Sequence, residues 1–333
     1  MHIETVNFGE WEAALPASGF GWAHTPEALR VLGDHTPGSL RLYGGFKGEQ
    51  PIGLCPVVEI DGPVVTAQVS PPPGFAIPQL GPIVFPASPK QRMQERVNRR
   101  FTEGLLEQLG ASRRSTIVGL ACHPSYTDPR PYEWADFDVS TRFTYRLSLD
   151  SVTLDQLQRS FSRETRRAIR DAESSGLRVS TGGVTDARRV YKAHERRRDE
   201  QGDDFPVKWP YIRDLVRSLG DRIRVYVGED ANGDFRSGLL VVYSNDDAYC
   251  LLGGTRSEST GSGINERLHW QAITDIVTDP VLDSIARYDF GNGNLESLAY
   301  YKSQYGATPV PRYLITSGKL MELAKSLYET IVY

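Results

Sequence analysis

One order of elements occurs twice in this 333-residue chain, and that repetition constrains the fold more than any single motif. Residues 41–70 read RLYGGFKGEQPIGLCPVVEIDGPVVTAQVS, and residues 224–254 read RVYVGEDANGDFRSGLLVVYSNDDAYCLLGG. Each is a strand, a polar turn with glycine, a second strand with glycine near its start, another turn and a third strand. A three-strand meander is therefore expected in both halves. The flanks repeat too. WEAALPASGF and TPEALRVLG are helical ahead of the first meander, as are DARRVYKAHERRRDE and WPYIRDLVRSLG ahead of the second. After the meanders, the helical PKQRMQERVNRRFTEGLLEQLG precedes the strand STIVGLA, and INERLHWQAITDIV precedes SIARYDF.

Each half thus reads β-α-α-β-β-β-α-β-(α)-β. The economical fold for that order is an α/β mixed sheet with helices on both faces. The boundary is expected near Leu149–Thr153, after the strand RFTYRLSL, which gives domains of 1–150 and 151–333. Glycine and proline concentrate at 70–89, SPPPGFAIPQLGPIVFPASP, an ordered crossing or a lid.

Composition narrows the function classes. With 39% apolar and 24% charged residues the chain is globular, and its formal net charge of −4 argues against a general nucleic-acid binder. Cys55, Cys122 and Cys250 lie in strand-like apolar surroundings without a C-x-x-C pair, so they read as buried small hydrophobes in a reducing compartment. The six histidines form no metal-binding spacing, and no metal site is expected. The N-terminus does not read as a signal peptide, and no apolar run is long enough to span a membrane. A cytoplasmic location is expected, and the oligomeric state is not legible.

One stretch departs from the acidic balance. Thr153 and Gln156 form a capping box, and a helix is expected from there onward. Leu154, Leu157, Phe161, Thr165, Ala168, Ile169 and Ala172 fall on one side of it. Arg159, Arg163, Arg166, Arg167 and Arg170 fall on the other. Residues 159–170 hold five arginines against Glu164 alone, a local formal charge of +4. Arginine suits bidentate contacts to phosphate or carboxylate, so a face for donor phosphates stands beside the plainer reading of a solvated surface. The loop GGTRSESTGSG leads into a helix starting near Ile264, and helix starts favour phosphate oxygens. Gly261 and Gly263 are its candidate phosphate contacts, with a simple capped turn as the other reading. Asp289 ends a strand at YDFGNG, where it either holds a substrate amine or caps the turn.

Four stretches carry a family resemblance: TPEALRVL (25–32), DPRPYEWADFDVSTRFTYRLSL (128–149), LQRSFSRETRRAIRDAESSGLRVS (157–180) and YDFGNGNLESLAYYKSQYG (288–306). Together they resemble the tandem GNAT-fold acyltransferases of the Fem type and the related CelD-like GNAT proteins. The resemblance covers nearly the whole chain. It implies two tandem GNAT domains, with the transfer site in the second. The family motifs carry tryptophan where Ala28 stands, phenylalanine where Tyr301 stands and glycine where Asn292 stands. The loop after Arg256 is two residues longer than the coenzyme A loop of single-domain GNAT enzymes, which leans against the standard mode of coenzyme A binding.

By the same resemblance, Lys302 is the cation that works on the acyl-transfer intermediate, with Tyr301 beside it. Asp289, Asn292, Tyr305, Arg130 and Trp134 are expected at the substrate, and Arg163, Arg166, Arg167, Arg170, Gly261 and Gly263 at the donor. No Ser-His-Asp, Cys-His or paired-carboxylate arrangement stands out, which fits direct attack of an amine on an activated carbonyl. The expected activity is N-acyl or aminoacyl transfer from acyl-CoA or aminoacyl-tRNA as co-substrate, with no permanently bound cofactor. The acceptor is an amine, with a cell-envelope precursor or a natural-product intermediate as candidates, and tRNA would meet the arginine face. The alternative is a non-catalytic GNAT pair that binds a nucleotide-linked or peptide ligand.

Overall fold

The computed structural model describes residues 1–86, 88–259 and 261–317. The described chain forms two compact units, one of residues 1–142 together with 311–317, the other of residues 143–310.

The first unit runs β1 (His2–Thr5), α1 (Phe8–Ala14), α2 (Pro26–His35), β2 (Ser39–Lys47), β3 (Gln50–Asp61), β4 (Thr66–Ser70), β5 (Ile83–Val84), α3 (Gln91–Gln108), β6 (Thr116–Ala121) and α4 (Arg130–Glu133). β7 (Phe137–Ser148) then passes from the first unit to the second. The second unit continues with α5 (Leu154–Ser160), α6 (Arg163–Ser174), β8 (Arg178–Gly182), α7 (Val184–Gln201), α8 (Trp209–Ser218), β9 (Ile223–Glu229), β10 (Phe235–Tyr243), β11 (Asp247–Thr255), α9 (Ile264–Thr278), β12 (Arg287–Asn292) and α10 (Glu296–Ser303). β13 (Thr308–Ser317) ends the described chain.

Both predicted meanders are present, as β2-β3-β4 and β9-β10-β11, antiparallel throughout. The first unit's sheet has the order β1-β2-β3-β4-β6-β13, and the second's has the order β7-β12-β11-β10-β9-β8. Each contains a parallel pair of strands, β4 with β6 and β11 with β12. The fold is the expected α/β mixed sheet.

The division of the chain differs from the boundary expected at residue 150. β13 pairs with β6 in the first unit, through Leu314 with Ala121 and Thr316 with Gly119. β7 pairs with β12 in the second, through Tyr288 with Leu147 and Arg287 with Ser148. The strand that ends each repeat in sequence therefore completes the sheet of the other unit. Local pattern marks where a strand ends but not which sheet edge receives it.

A second difference concerns the helix expected from Leu154 to Ala172. It is two helices. Phe161 adopts an extended conformation (ψ 149°), and Ser162 starts α6, its Oγ accepting the Thr165 N–H at 3.0 Å. A serine cap beats one more helical turn here because Phe161 can then enter the core, 5.5 Å from Trp270 and 5.4 Å from Tyr305 between ring centres. Arg159 consequently sits on α5, apart from the arginines of α6.

The glycine- and proline-rich crossing after β4 is tied to its neighbours by hydrogen bonds between Pro78 and Gly81 and the residues around them. Leu80 donates to the Ala121 carbonyl at 2.8 Å and Gly81 to the Ser70 hydroxyl at 3.0 Å, while Arg312 donates to the Pro78 carbonyl at 2.7 Å. The parallel pair β4–β6 is zipped along all of β4, from Thr66 to Ser70. Cys55 and Cys122 are enclosed in the first unit's core, as their surroundings predicted.

Candidate functional site

The second unit's parallel pair behaves differently. β11 and β12 are bonded only from Asp247 to Tyr249 against Arg287 to Asp289, although both strands continue. Two irregularities part them. β11 carries an extra residue between Cys250 and Leu252, since Val241 faces Cys250 while Leu240 faces Leu252. β12 bulges between Asp289 and Asn292 against β7. A bulge leaves one residue out of the ladder and bends its strand. Gly291 makes the second bulge possible. It has φ +80°, and a Cβ there would stand 2.9 Å from the Tyr249 hydroxyl oxygen.

Asp289 builds this bend. Its Oδ1 accepts the Gly291 N–H at 2.7 Å and the Thr144 hydroxyl, and its Oδ2 accepts from Arg146 Nε at 3.0 Å. Arg146 also reaches Asp247 at 3.1 Å, and Arg287 joins Asp247 and Asp246. With 1% of its surface exposed, Asp289 has no oxygen to offer a ligand. Of its two sequence readings the turn-forming one is what the geometry displays, in place of direct contact with a substrate amine.

Beyond the bend, Asn292 Oδ1 accepts the Asn294 N–H at 2.9 Å, and Asn294 Oδ1 accepts the Phe143 N–H at 2.9 Å. α10 follows and returns Lys302 to the end of β12, where its ammonium donates to the Asn292 carbonyl. The expected neighbours Asp289, Asn292, Tyr301, Lys302 and Tyr305 are thus brought together. Lys302 is 7% exposed. Burial lowers its pKa to about 8, against the pull of the nearby Cys250 and Asp289, which favour the charged form.

Tyr305 differs from its expected place at the substrate. It is fully enclosed, with ring centres 5.4 Å from Phe161, 4.9 Å from Phe290 and 5.6 Å from His269. It is a core ring because the glycine-terminated turn after α10 drives it inward. Tyr301 is half-buried, and its hydroxyl lies 2.8 Å from that of Tyr305.

Three groups near Lys302 or Tyr301 escaped the sequence reading. Glu266, in the first turn of α9, bonds the Tyr301 hydroxyl and its own backbone N–H, and burial raises its pKa. His269, one turn on, is enclosed. Burial and the Lys302 charge lower its pKa to about 3, and Nδ1 meets the Tyr288 hydroxyl at 2.8 Å. Cys250 follows the last bonded residue of β11, and burial pushes its thiol up to about 11. A glutamate and a histidine three apart on a helix face otherwise lined by Leu268, Ala272 and Ile273 were the available signal.

The other expected residues lie elsewhere. Arg130 is exposed in the first unit and paired with Asp128 at 2.7 Å and Glu95 at 3.0 Å. Trp134 is 59% exposed, with the Arg99 and Arg130 guanidinium groups 5.9 and 5.7 Å from its ring centre. Arg163, Arg166, Arg167 and Arg170 share one face of α6, with Arg167 bonded to Asp171 at 3.3 Å. Gly261 is an exposed turn residue with φ +82°. Gly263 is a packing residue instead of a phosphate contact, because a Cβ there would meet the Ala168 carbonyl of α6 at 2.3 Å. The start of α9 is thus covered by α6 and carries the Glu266 carboxyl. Among the described residues no group of His, Cys, Asp or Glu is arranged to hold a metal ion.

Residues 159–303 match the acetyltransferase (GNAT) domain family. No curated protein matches the chain by sequence. Among solved structures it is similar to FemX, with a TM-score of 0.70 and 11% identity over the whole of both chains. It is also similar to L-PGS from Bacillus licheniformis, with a TM-score of 0.58 and 13% identity over 99% of this chain and 98% of that one. A tandem GNAT protein from the clavulanic acid biosynthesis pathway gives a TM-score of 0.55 and 15% identity, over 96% of this chain and 99% of that one. The parted parallel strands and the buried lysine lie inside the matched domain: residues 159–303 belong to the acetyltransferase (GNAT) domain family, and the chain as a whole shares the fold of FemX and of the tandem GNAT protein.

Proposed function

We propose that the chain moves an acyl or aminoacyl group from an activated donor to an amine by direct attack, with Lys302 stabilising the tetrahedral oxyanion. The observation that carries this is the buried ammonium at the end of β12, where β11 and β12 have parted. Parted strands expose backbone groups beside a fixed charge, and a charge in a water-poor site acts strongly on a developing anion. The nearest thiol, Cys250, is kept protonated by burial, which favours direct transfer over a thioester on the enzyme.

Acyl-CoA and aminoacyl-tRNA are the two donors in competition. The exposed arginines of α6 suit the phosphates of either. The likeness to the clavulanic acid pathway protein, which is described with reference to acetyl-CoA, favours the first. The likeness to FemX and L-PGS across the whole chain favours the second. Asn292 and Tyr301, beside Lys302, are the candidate acceptor contacts, and the acceptor is an amine such as a cell-envelope precursor or a natural-product intermediate.

The test offers the full chain radiolabelled acetyl-CoA in one reaction and charged tRNA in another, each with a panel of amines. Label transferred by the natural chain and lost in Lys302→Ala supports the reading and identifies the donor. Full transfer by the variant would falsify the role of Lys302.

A further inference from the structure

Direct attack by an amine needs a proton acceptor as well as an oxyanion donor, and the groups around Lys302 and Tyr301 can be taken in turn. Asp289 has both oxygens engaged, by Gly291, Thr144 and Arg146. His269 is enclosed, with its pKa lowered to about 3 and its Nδ1 on the Tyr288 hydroxyl. An imidazole with so low a pKa has little hold on a proton. Cys250 keeps its own proton, because burial pushes the thiol up to about 11. Burial also pushes up the Tyr301 and Tyr305 hydroxyls, so both stay neutral. Among the described groups here, Glu266 remains.

Glu266 differs from the others in its place and its partners. It stands in the first turn of α9 and is half-buried, so one side of it is open to solvent. Its carboxyl accepts from the Tyr301 hydroxyl and from its own main-chain N–H. Among the described residues no cation is bonded to it. Arg267, its neighbour on α9, is engaged by Glu173 at 3.2 Å and Gln271 at 3.1 Å. From α6 the exposed Glu164 faces it, a like charge. From α10 it meets the Tyr301 hydroxyl, itself 2.8 Å from the Tyr305 hydroxyl. The strands beneath α9 direct Ser237 to Asn265 and Arg224 to Asp275.

These surroundings set what the carboxyl can do. Partial burial and the like charge of Glu164 raise its pKa, while its own N–H and the Tyr301 hydroxyl pull the other way. A carboxyl moved up from its ordinary range binds a proton more firmly than an exposed one and still releases it. A helix cap accounts for the contact with the main-chain N–H. It does not account for the bond to Tyr301, the residue just before Lys302 on α10. That bond ties the carboxyl to the helix that carries the ammonium.

We propose that the Glu266 carboxylate is the base that takes the proton of the attacking amine, held for that task by the Tyr301 hydroxyl. The inference rests on acyl transfer at Lys302 and supplies the proton acceptor that this transfer needs. As the amine nitrogen bonds the donor carbonyl carbon, the carbonyl electron pair moves onto its oxygen and one N–H proton passes to a Glu266 oxygen. Collapse re-forms the carbonyl and breaks the bond to the donor's oxygen or sulfur. The proton then passes from Glu266 to that leaving group, which restores the carboxylate. Lys302 thus works protonated and Glu266 works deprotonated, two groups whose environments set opposite charges.

The experiment assays the full chain, Glu266→Gln, Glu266→Ala and Lys302→Ala with radiolabelled acetyl-CoA or charged tRNA, with lysine or glucosamine as the amine, and melts each protein. Glutamine keeps an acceptor for Tyr301 and for the start of α9, so Glu266→Gln should melt close to the natural chain. Its kcat should fall by about 10²–10⁴-fold, with KM for the amine little changed. In the natural chain kcat should rise with pH as Glu266 loses its proton and fall as Lys302 loses its own. Glu266→Gln should lose the rising limb and keep the falling one. Formate supplied to Glu266→Ala should restore part of kcat in proportion to its concentration. A Glu266→Gln variant whose kcat stays within about tenfold of the natural chain overturns the proposal. So does one that melts far lower and keeps the rising limb, which would make Glu266 structural. Loss in Lys302→Ala beside full turnover in Glu266→Gln overturns this assignment alone, and the reverse pattern overturns the Lys302 reading alone. A natural chain that transfers neither label overturns both.

Discussion

The Lys302 ammonium donates to the main-chain carbonyl of Asn292, which ties the last turn of α10 to the end of β12. That bond places a buried cation beside the bend built by Asp289 and Gly291. Four outcomes are expected from this arrangement.

Lys302→Ala should reduce transfer by about 10²–10³-fold, the usual loss when one oxyanion donor is removed. The fold should survive, because burial disfavours the ammonium in the native state. Lys302→Met, which fills the same space without charge, should unfold at an equal or higher temperature than the natural chain. Thermal melts alongside the transfer assay check both parts, and a large fall in melting temperature for Lys302→Met would show that the ammonium is structural.

The pH dependence has a definite sign. The ammonium is present below its pKa of about 8 and lost above it. If the charged form works, kcat/KM falls as pH rises through about 8. A general base at this position would give a rise over the same range. Stability should move the opposite way to activity. The unfolded chain holds this proton up to about 10.5 and the native chain only to about 8, so Lys302 adds stability as pH rises between the two values. A pH–rate profile and urea titrations at several pH values measure the two effects separately.

Asp289→Asn should act on the fold. It leaves Arg146, whose side chain is 10% exposed, without one of its two carboxylates, and it weakens the acceptor that holds Thr144 and Gly291. Breaking a buried pair costs on the order of 3 kcal/mol. The loss should appear in chemical denaturation, with KM for the amine little changed in the fraction that remains folded. A variant of normal stability with a raised amine KM would return Asp289 to the substrate.

Tyr301→Phe should be mild in turnover. The hydroxyl bridges Tyr305 and Glu266 and contacts no other side chain named in the site. Its removal leaves the half-buried Glu266 carboxyl short of one donor, at a cost of about 1 kcal/mol. A drop in melting temperature with activity kept within about tenfold is the expected pair of readings. Loss of activity as complete as in Lys302→Ala would make the Tyr301 hydroxyl catalytic.

The chain's local patterns determined a good deal. The doubled meander follows from alternating apolar residues and glycine-bearing turns, and both signals act within a few residues of each other. The placing of Lys302 with Asp289 and Asn292 was expected from the family resemblance of YDFGNGNLESLAYYKSQYG, and the short turn and helix after β12 bring them together. Only the tertiary structure decided the rest. β7 and β13 each look like the end of their own repeat, yet each completes the other unit's sheet. The helix predicted through Phe161 breaks there because Trp270 and Tyr305, far later in the chain, accept the ring. Asp289 is a turn-former because Thr144 and Arg146, far earlier in the chain, saturate its carboxylate. Glu266 gains its place beside Tyr301, and His269 its place beside Lys302, from the packing of α9 against this region. Periodicity reports which face a residue takes, whereas the partner on that face is set by contacts between segments that no local pattern encodes.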